Sequence, residues 1–372
     1  MKVLYITDQM YLHGGGERVL TNKANYFIDN GIAEVYIVTS EQKGNAPCYP
    51  IKSEVIFEDL AINYNRAISY FYPYNFIKIP KHFFRLNRII NKIKPDVIVT
   101  LSAQFDYYFL PFIHKKIPKI KEFHSSRHYA SLSRKRNRSV LRRLMYRFND
   151  YIESKYDRLA ILTNDEQQYF KSQNTVVIPN SYTNYPKNKS DLTSKIAVSA
   201  GRIAPVKQFD KLIVAWWHIA QTHPDWRLEI YGKGEEQDVK LLQKMIDDFN
   251  IGNQVKLCGE TNDLESKMLN SSLYVMSSKT ECFPMVLLEA MTCGLPIVSF
   301  DCPHGPGNII TDDGVLVEMD NEKKLAEAVV SIINNTKDHK EKGNRSRENV
   351  KRYSLEKICN QWSELFVRLM NS

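Results

Sequence analysis

The sequence predicts an α/β protein of two doubly wound domains, and three observations carry that expectation. Short, continuous apolar runs recur along the chain and alternate with helical segments, which is how strands buried on both faces of a parallel sheet read. A glycine turn follows directly on such a run at His13-Gly14-Gly15-Gly16-Glu17-Arg18 and again at Gly201-Arg202-Ile203-Ala204, where open α/β sheets bind ligands. The length, 372 residues, suggests two domains, each large enough to bury a core of its own.

Composition narrows the class. The chain is 43% hydrophobic and 25% charged, as ordinary globular proteins are. No apolar run approaches the roughly 18 residues needed to span a bilayer. The opening Met1-Lys2-Val3-Leu4-Tyr5-Ile6-Thr7 reads as a strand rather than a signal peptide, so a cytoplasmic protein is expected. Cys48, Cys258, Cys282, Cys293, Cys302 and Cys359 form no C-x-x-C pair, and neither disulfides nor a zinc site is favoured in a reducing compartment. The formal net charge of +9 is concentrated rather than spread.

Residues 3–7, 35–39, 97–101, 159–163 and 176–181 read as strands of a first domain over 1–182, completed by 354–372. The glycine loop is followed by a helix over 19–28. Between the second and third strands, residues 64–94 mix Phe71, Tyr72, Tyr74, Phe76, Phe83 and Phe84 with lysines and arginines. That mixture suits a membrane interface, and equally a solvated helix with an aromatic inner face. His124 follows a strand ending at Glu122-Phe123. From Arg134 to Arg147 the chain packs seven basic residues and no acidic one, an electrostatic footprint for a lipid surface, a pyrophosphate-linked acceptor or nucleic acid, or a solvated charged face. Residues 182–194 turn polar, as a linker would.

The second domain, 195–353, carries strands at 196–200, 227–231, 255–259, 273–277 and 297–300. The first runs into Gly201 with Arg202 and Lys207 behind it, and the third ends at Gly259. A closing helix capped by Ser354 places Ile358, Trp362, Leu365, Phe366 and Leu369 on one stripe.

The most informative stretch is residues 277–296. Pro284 can open a helix at its first position, and Gly294-Leu295-Pro296 ends it. The helix over 284–293 is apolar on every side yet carries Glu289, and a buried carboxylate costs several kcal/mol unless it is paired. Glu281 waits just before it. The first turn, with Phe283, Pro284, Met285 and Val286, presents free N–H groups and a positive dipole end, which suit a phosphate. The bland alternative is a core helix whose glutamate meets an arginine.

Glu281 and Glu289, with Phe283-Pro284 between them and Gly294-Leu295-Pro296 after, resemble the E-x7-E signature of the retaining glycosyltransferases of the GT-B fold, family four. The resemblance extends to the opening glycine loop, to Gly201-Arg202 with Lys207, and over nearly the whole chain. It implies two Rossmann-like domains facing across a cleft, with the terminal helix crossing back to the first domain. It further implies transfer of a sugar, with retention, from a nucleotide-sugar donor, expected to be a UDP-sugar. By that resemblance Glu281 and His124 serve the sugar, Arg202 and Lys207 clamp the diphosphate, and Glu289 binds the ribose. Gly15, Gly16, Phe283, Pro284, Met285, Val286 and Gly259 surround the donor. Cys282 stands where the family usually has glycine, and Asn308 where it more often has glutamate.

No Asp-x-Asp pair occurs in the sequence, so neither a divalent metal nor a cofactor is expected. The expected partners are the nucleotide-sugar, a glycan or polyprenyl-linked acceptor of bacterial surface polysaccharide synthesis, and an anionic membrane surface on the inner face of the cell membrane. Nucleic acid is not expected. Three other readings stay open: a GT-B sugar-nucleotide epimerase, a nucleic-acid-binding protein using the basic cluster, and a catalytically silent partner subunit.

Overall fold

Seven strands of the first part of the chain pair into one sheet in the computed structural model, which describes residues 1–136 and 139–372. They are β1 (Lys2–Thr7), β2 (Glu34–Thr39), β3 (Ile56–Asp59), β4 (Val97–Thr100), β5 (Lys119–Glu122), β6 (Arg158–Ile161) and β7 (Thr175–Val177). Their order is β3-β2-β1-β4-β5-β6-β7, and every neighbour is parallel. Val3 lies opposite Val35 on one side and Val97 on the other. β1 is buried on both faces from Val3 to Ile6, which accounts for its unbroken apolar run. The strand order reverses between β1 and β4, the switch point where sheets of this kind open a ligand crevice.

Four helices serve the argument in this unit: α1 (Gly15–Asp29), α2 (Ile79–Ile93), α3 (His128–Arg136) and α4 (Val140–Glu153). The second sheet repeats the winding with β8 (Ile196–Ala200), β9 (Arg227–Tyr231), β10 (Val255–Gly259), β11 (Leu273–Met276), β12 (Ile297–Phe300) and β13 (Gly314–Val317), ordered β10-β9-β8-β11-β12-β13. Around it lie α5 (Phe209–Ala220), α6 (Met285–Thr292) and α7 (Glu322–Asn334).

The chain divides into two units, Met1–Asn180 with Leu355–Ser372, and Ser181–Ser354. The terminal helix α8 (Leu355–Met370) therefore completes the first unit. Its stripe of Ile358, Trp362, Leu365, Phe366 and Leu369 is buried, and the Phe366 ring lies 5.9 Å from Phe27 of α1. Each unit has its own apolar core; Trp216 of α5 and Phe300 of β12 are fully buried in the second.

The structure departs from the sequence expectations at five places. The edge strands β3 and β13 were not expected: Ile56 is exposed and the rest of β3 only half-buried, so no apolar run announces it. α1 begins at Gly15, so two of the loop glycines form its first turn. Gly14 precedes them in extended backbone, and first-turn N–H groups need no intrahelical partner. The inner face of α2 is aliphatic, built of Leu86, Ile89, Ile90 and Ile93 around His82, while Phe84 is exposed. The polar stretch 182–194 is not a free linker. Ser190 donates its N–H to the Cys293 carbonyl at 2.8 Å, and the Arg347 guanidinium lies 4.4 Å from the Tyr185 ring and donates to the Asn188 carbonyl at 2.8 Å. Pro284 precedes α6 as its cap rather than opening it, with extended backbone at φ −69°, ψ 104°. Of the basic cluster, Asn137 and Arg138 lie outside the described residues.

Candidate active site

At the carboxyl end of the second sheet, two glycine turns are packed into one clamp. Gly201 donates its N–H to the Tyr231 carbonyl at 3.0 Å, and Ile203 to the Lys233 carbonyl at 2.8 Å. A Cβ on Gly232 would sit 1.8 Å from the Gly201 carbonyl oxygen, so only glycine allows this approach. The clamp fixes the loop that carries Arg202, which is exposed, and Lys207, which is half-buried.

The loop after β11 is pinned to the same place. Ser277 Oγ donates to the Lys207 carbonyl at 2.9 Å, and Lys279 N–H to the Val206 carbonyl at 2.8 Å. Lys207 Nζ and Glu281 Oε1 meet at 2.6 Å. Gly305 packs against this pair so closely that a Cβ there would fall 2.5 Å from Glu281 Cβ. Burial, helped by the charge of Glu281, pushes the Cys302 thiol up to about 12. The loop 303–310, which carries Asn308, thus braces Glu281. Phe283 is buried edge-on against Tyr353 at 5.2 Å, and the Tyr353 hydroxyl donates to the Asn308 carbonyl at 3.0 Å.

α6 is not buried all round. Leu287, Leu288, Ala290 and Met291 face the core, while Met285, Val286 and Glu289 share a half-buried face. Positions three and four apart lie above one another on a helix, so Glu289 stands on the same face as Met285 and Val286 of the first turn. The residue is half-buried, not sealed in the core. Gly259 ends β10 with φ +72°, and its carbonyl accepts from Gly232 N–H at 2.8 Å.

On the first unit, His124 lies near Gly16 of the opening loop. A Cβ at Gly16 would lie 3.8 Å from His124 Cδ2. Behind His124 stands a network that the sequence did not single out. Lys23 of α1 and Glu122 of β5 form a buried ion pair, with Nζ 2.8 and 2.9 Å from the two carboxylate oxygens, and His124 Nε2 is 3.2 Å from Glu122 Oε1. Burial alone would raise the Glu122 carboxyl; the Lys23 ammonium, with His124, outweighs it and brings it down to about 2. The Trp362 ring of α8 covers Lys23 at 3.8 Å. The only sequence signal was Lys23 falling in register with the buried stripe Val19, Leu20, Ala24 and Phe27.

A pocket of about 560 Å³ opens beside His124. Its wall holds Arg127, which donates to Glu153 Oε2 at 2.9 Å, and Tyr107, whose hydroxyl donates to Glu153 Oε1 at 2.8 Å. Burial lowers the Lys121 ammonium at its floor to about 8, and Lys121 Nζ donates to the Ser102 carbonyl at 2.7 Å. The arrangement can hold anions and hydroxyl-rich groups beside the His124 imidazole.

Comparison with known proteins places these residues in context. Residues 182–352 match the family described as Glycosyl transferases group 1, and residues 13–182 match Glycosyltransferase Family 4. An uncharacterized glycosyltransferase of Haemophilus influenzae is 29% identical over 94% of this chain and 95% of its own length. The poly(ribitol-phosphate) alpha-N-acetylglucosaminyltransferase of Staphylococcus aureus is 32% identical over 56% of this chain, a match spanning 42% of that longer protein. Among solved structures, TarM of S. aureus superposes with a TM-score of 0.78 at 18% identity, covering 100% of this chain and 99% of TarM. Anabaena HepE in complex with UDP does so with a TM-score of 0.78 at 18% identity, over 99% of this chain and 100% of HepE. Both share the fold.

Proposed function

The chain belongs to the group 1 glycosyltransferases of the GT-B fold, and from that premise we propose that it moves a sugar from a UDP-sugar, with net retention, to a lipid-linked or growing glycan of a bacterial surface polysaccharide. One observation carries the reading. Lys207, Glu281 and the first turn of α6 converge at the carboxyl end of the second sheet, on loops bonded to each other.

In this reading the bond between the anomeric carbon and the diphosphate oxygen breaks as an oxocarbenium-like centre develops. The departing UDP charge falls to Arg202, Lys207 and the first-turn N–H groups of α6, an electrostatic role that needs no metal. Charge-assisted bonds to phosphate are worth roughly 1.5–3 kcal/mol each. Glu281, held by Lys207, faces the sugar, and Glu289 accepts from the ribose hydroxyls. For His124 of the first unit, the family resemblance is what assigns a role at the transferred sugar. The new bond forms to the acceptor oxygen, whose proton leaves with the diphosphate or through solvent. Two relatives support the acceptor class by their names, the S. aureus poly(ribitol-phosphate) enzyme and a Bacillus subtilis poly(glycerol-phosphate) alpha-glucosyltransferase.

Ligand-detected NMR tests the reading, with the purified chain, a metal chelator, and a panel of UDP-, GDP- and CDP-sugars plus a short DNA duplex. One UDP-sugar is expected to bind, and binding is expected to vanish in Arg202→Ala and Glu289→Ala. Binding to the duplex alone would overturn the reading. Slow appearance of a second sugar-nucleotide without acceptor would replace it with epimerisation.

A further inference from the structure

α4 is turned inside out. Val140, Leu141, Leu144, Met145, Phe148 and Tyr151 are all exposed, Val140 at 70% and Phe148 at 52%. On a helix of 3.6 residues per turn they fall within an arc of about 140°. The polar positions face inward instead: Tyr146, Asn149 and Glu153 line the pocket beside His124, and Asp150 accepts from Arg134 at 2.7 Å. A surface helix of a soluble domain buries its apolar stripe and shows its polar one; this helix does the reverse.

The stripe is part of a wider surface. The Phe148 ring stacks on Tyr108 at 5.8 Å and 7°, Tyr108 meets Phe71 at 5.8 Å, and Tyr151 stacks on Phe112 at 6.3 Å. Phe71 and Phe112 are themselves exposed. Contiguous apolar surface of this kind marks a partner or a membrane. The charges around it decide which. Arg147 borders the arc, about 20° from one edge, and Arg142 and Arg143 lie about 60° beyond its two edges, all three exposed, and the sequence has no acidic residue from Arg134 to Asn149. A second copy of the chain meeting this face about a twofold axis would set arginine against arginine. An anionic bilayer instead accepts the rings and aliphatic groups below its headgroups and neutralises the arginines at its surface.

We propose that α4 lies in the plane of an anionic bilayer surface, its apolar stripe inserted and Arg142, Arg143 and Arg147 at the lipid phosphates. The polar face of the same helix then borders the His124 pocket. This inference stands on the surface alone and does not rest on the transferase reading.

Co-sedimentation of the full chain with vesicles of phosphatidylcholine, with and without phosphatidylglycerol, tests it at low salt. Binding is expected with phosphatidylglycerol and lost with added salt. Arg142→Gln/Arg143→Gln/Arg147→Gln should weaken it by about 100-fold, since each near-surface cation contributes roughly 5-fold. Leu141→Glu/Phe148→Glu should abolish it, and both variants, being changes at exposed positions, should melt as the parent does by circular dichroism. Leu144→Trp should shift its emission to the blue on vesicles and be quenched by brominated lipid. Absence of wild-type binding to phosphatidylglycerol vesicles overturns the proposal, as does binding that neither variant changes. So does lipid-free dimerisation, seen by ultracentrifugation, that Leu141→Glu/Phe148→Glu removes. None of these readouts uses donor or acceptor, so failure of the transferase reading leaves the test intact.

Discussion

Lys23 and Glu122 are each almost wholly removed from water, and neither is tolerable there without the other. Lys23→Met leaves a buried carboxylate without its ammonium, and urea unfolding should show a loss of about 3–5 kcal/mol. Lys23→Met/Glu122→Leu should recover most of it, because the uncompensated charge is gone. The pair also sets an acid limit. Glu122 titrates at about 2 in the fold against an ordinary 4.5. A depressed carboxyl contributes stability that is complete above its unfolded value and lost as pH falls through its folded one. Stability of the first unit should therefore decline from about pH 4.5 toward pH 2, and the double variant should show a shallower decline over that window. Lys207→Ala makes a different point at the same scale. It removes both the proposed phosphate ligand and the partner of Glu281, and UDP affinity should drop by roughly 10- to 100-fold by calorimetry. Lys207→Arg should retain part of that affinity.

At the scale of elements, the loops at the carboxyl end of the second sheet depend on backbone contact more than on side chains. The turn after β8 and the turn after β9 touch at Gly201 and Gly232 with no room for a methyl group. Gly232→Ala has to push the turns apart, at about 1–3 kcal/mol or more, the range of overpacked sites. Lys207 rides on the first of these turns, so donor affinity should fall with stability, both read from thermal unfolding with and without UDP. Gly305→Ala acts on the other side of Glu281 and should weaken UDP-sugar binding with a smaller change in melting temperature. α6 shows why an element can be legible while its orientation is not. Its apolar composition and its Glu-x7-Glu spacing stand in the sequence, yet a helix of eight residues that is apolar nearly all round gives no period from which to read the outward face.

At the scale of the whole molecule, the chain builds two cores, and the last helix belongs to the first. Trp362 is 2% exposed and covers Lys23, so Trp362→Ala should cost about 3–5 kcal/mol in the first unit. Differential scanning calorimetry should then show a first-unit transition shifted down, while a UDP-stabilised second-unit transition stays in place.

The sequence by itself determined the parallel doubly wound class, the stripe of the terminal helix, and the glycine turns with Arg202, Lys207, Glu281 and Glu289 behind them. Buried parallel strands must be continuously apolar, and ligand loops there need glycine and charge at fixed spacings. Only the tertiary structure decided the rest. β3 and β13 lie at sheet edges: β3 turns acidic at Glu58 and Asp59, and β13 offers only the three apolar residues Val315, Leu316 and Val317. Lys23 and Glu122 are 99 residues apart and meet because α1 and β5 border the same core. α4 has an evident apolar stripe in its sequence, but periodicity tells which residues share a face and not which way that face turns. Here it turns outward, because the polar face is held inward by Arg127, Arg134 and the pocket beside His124.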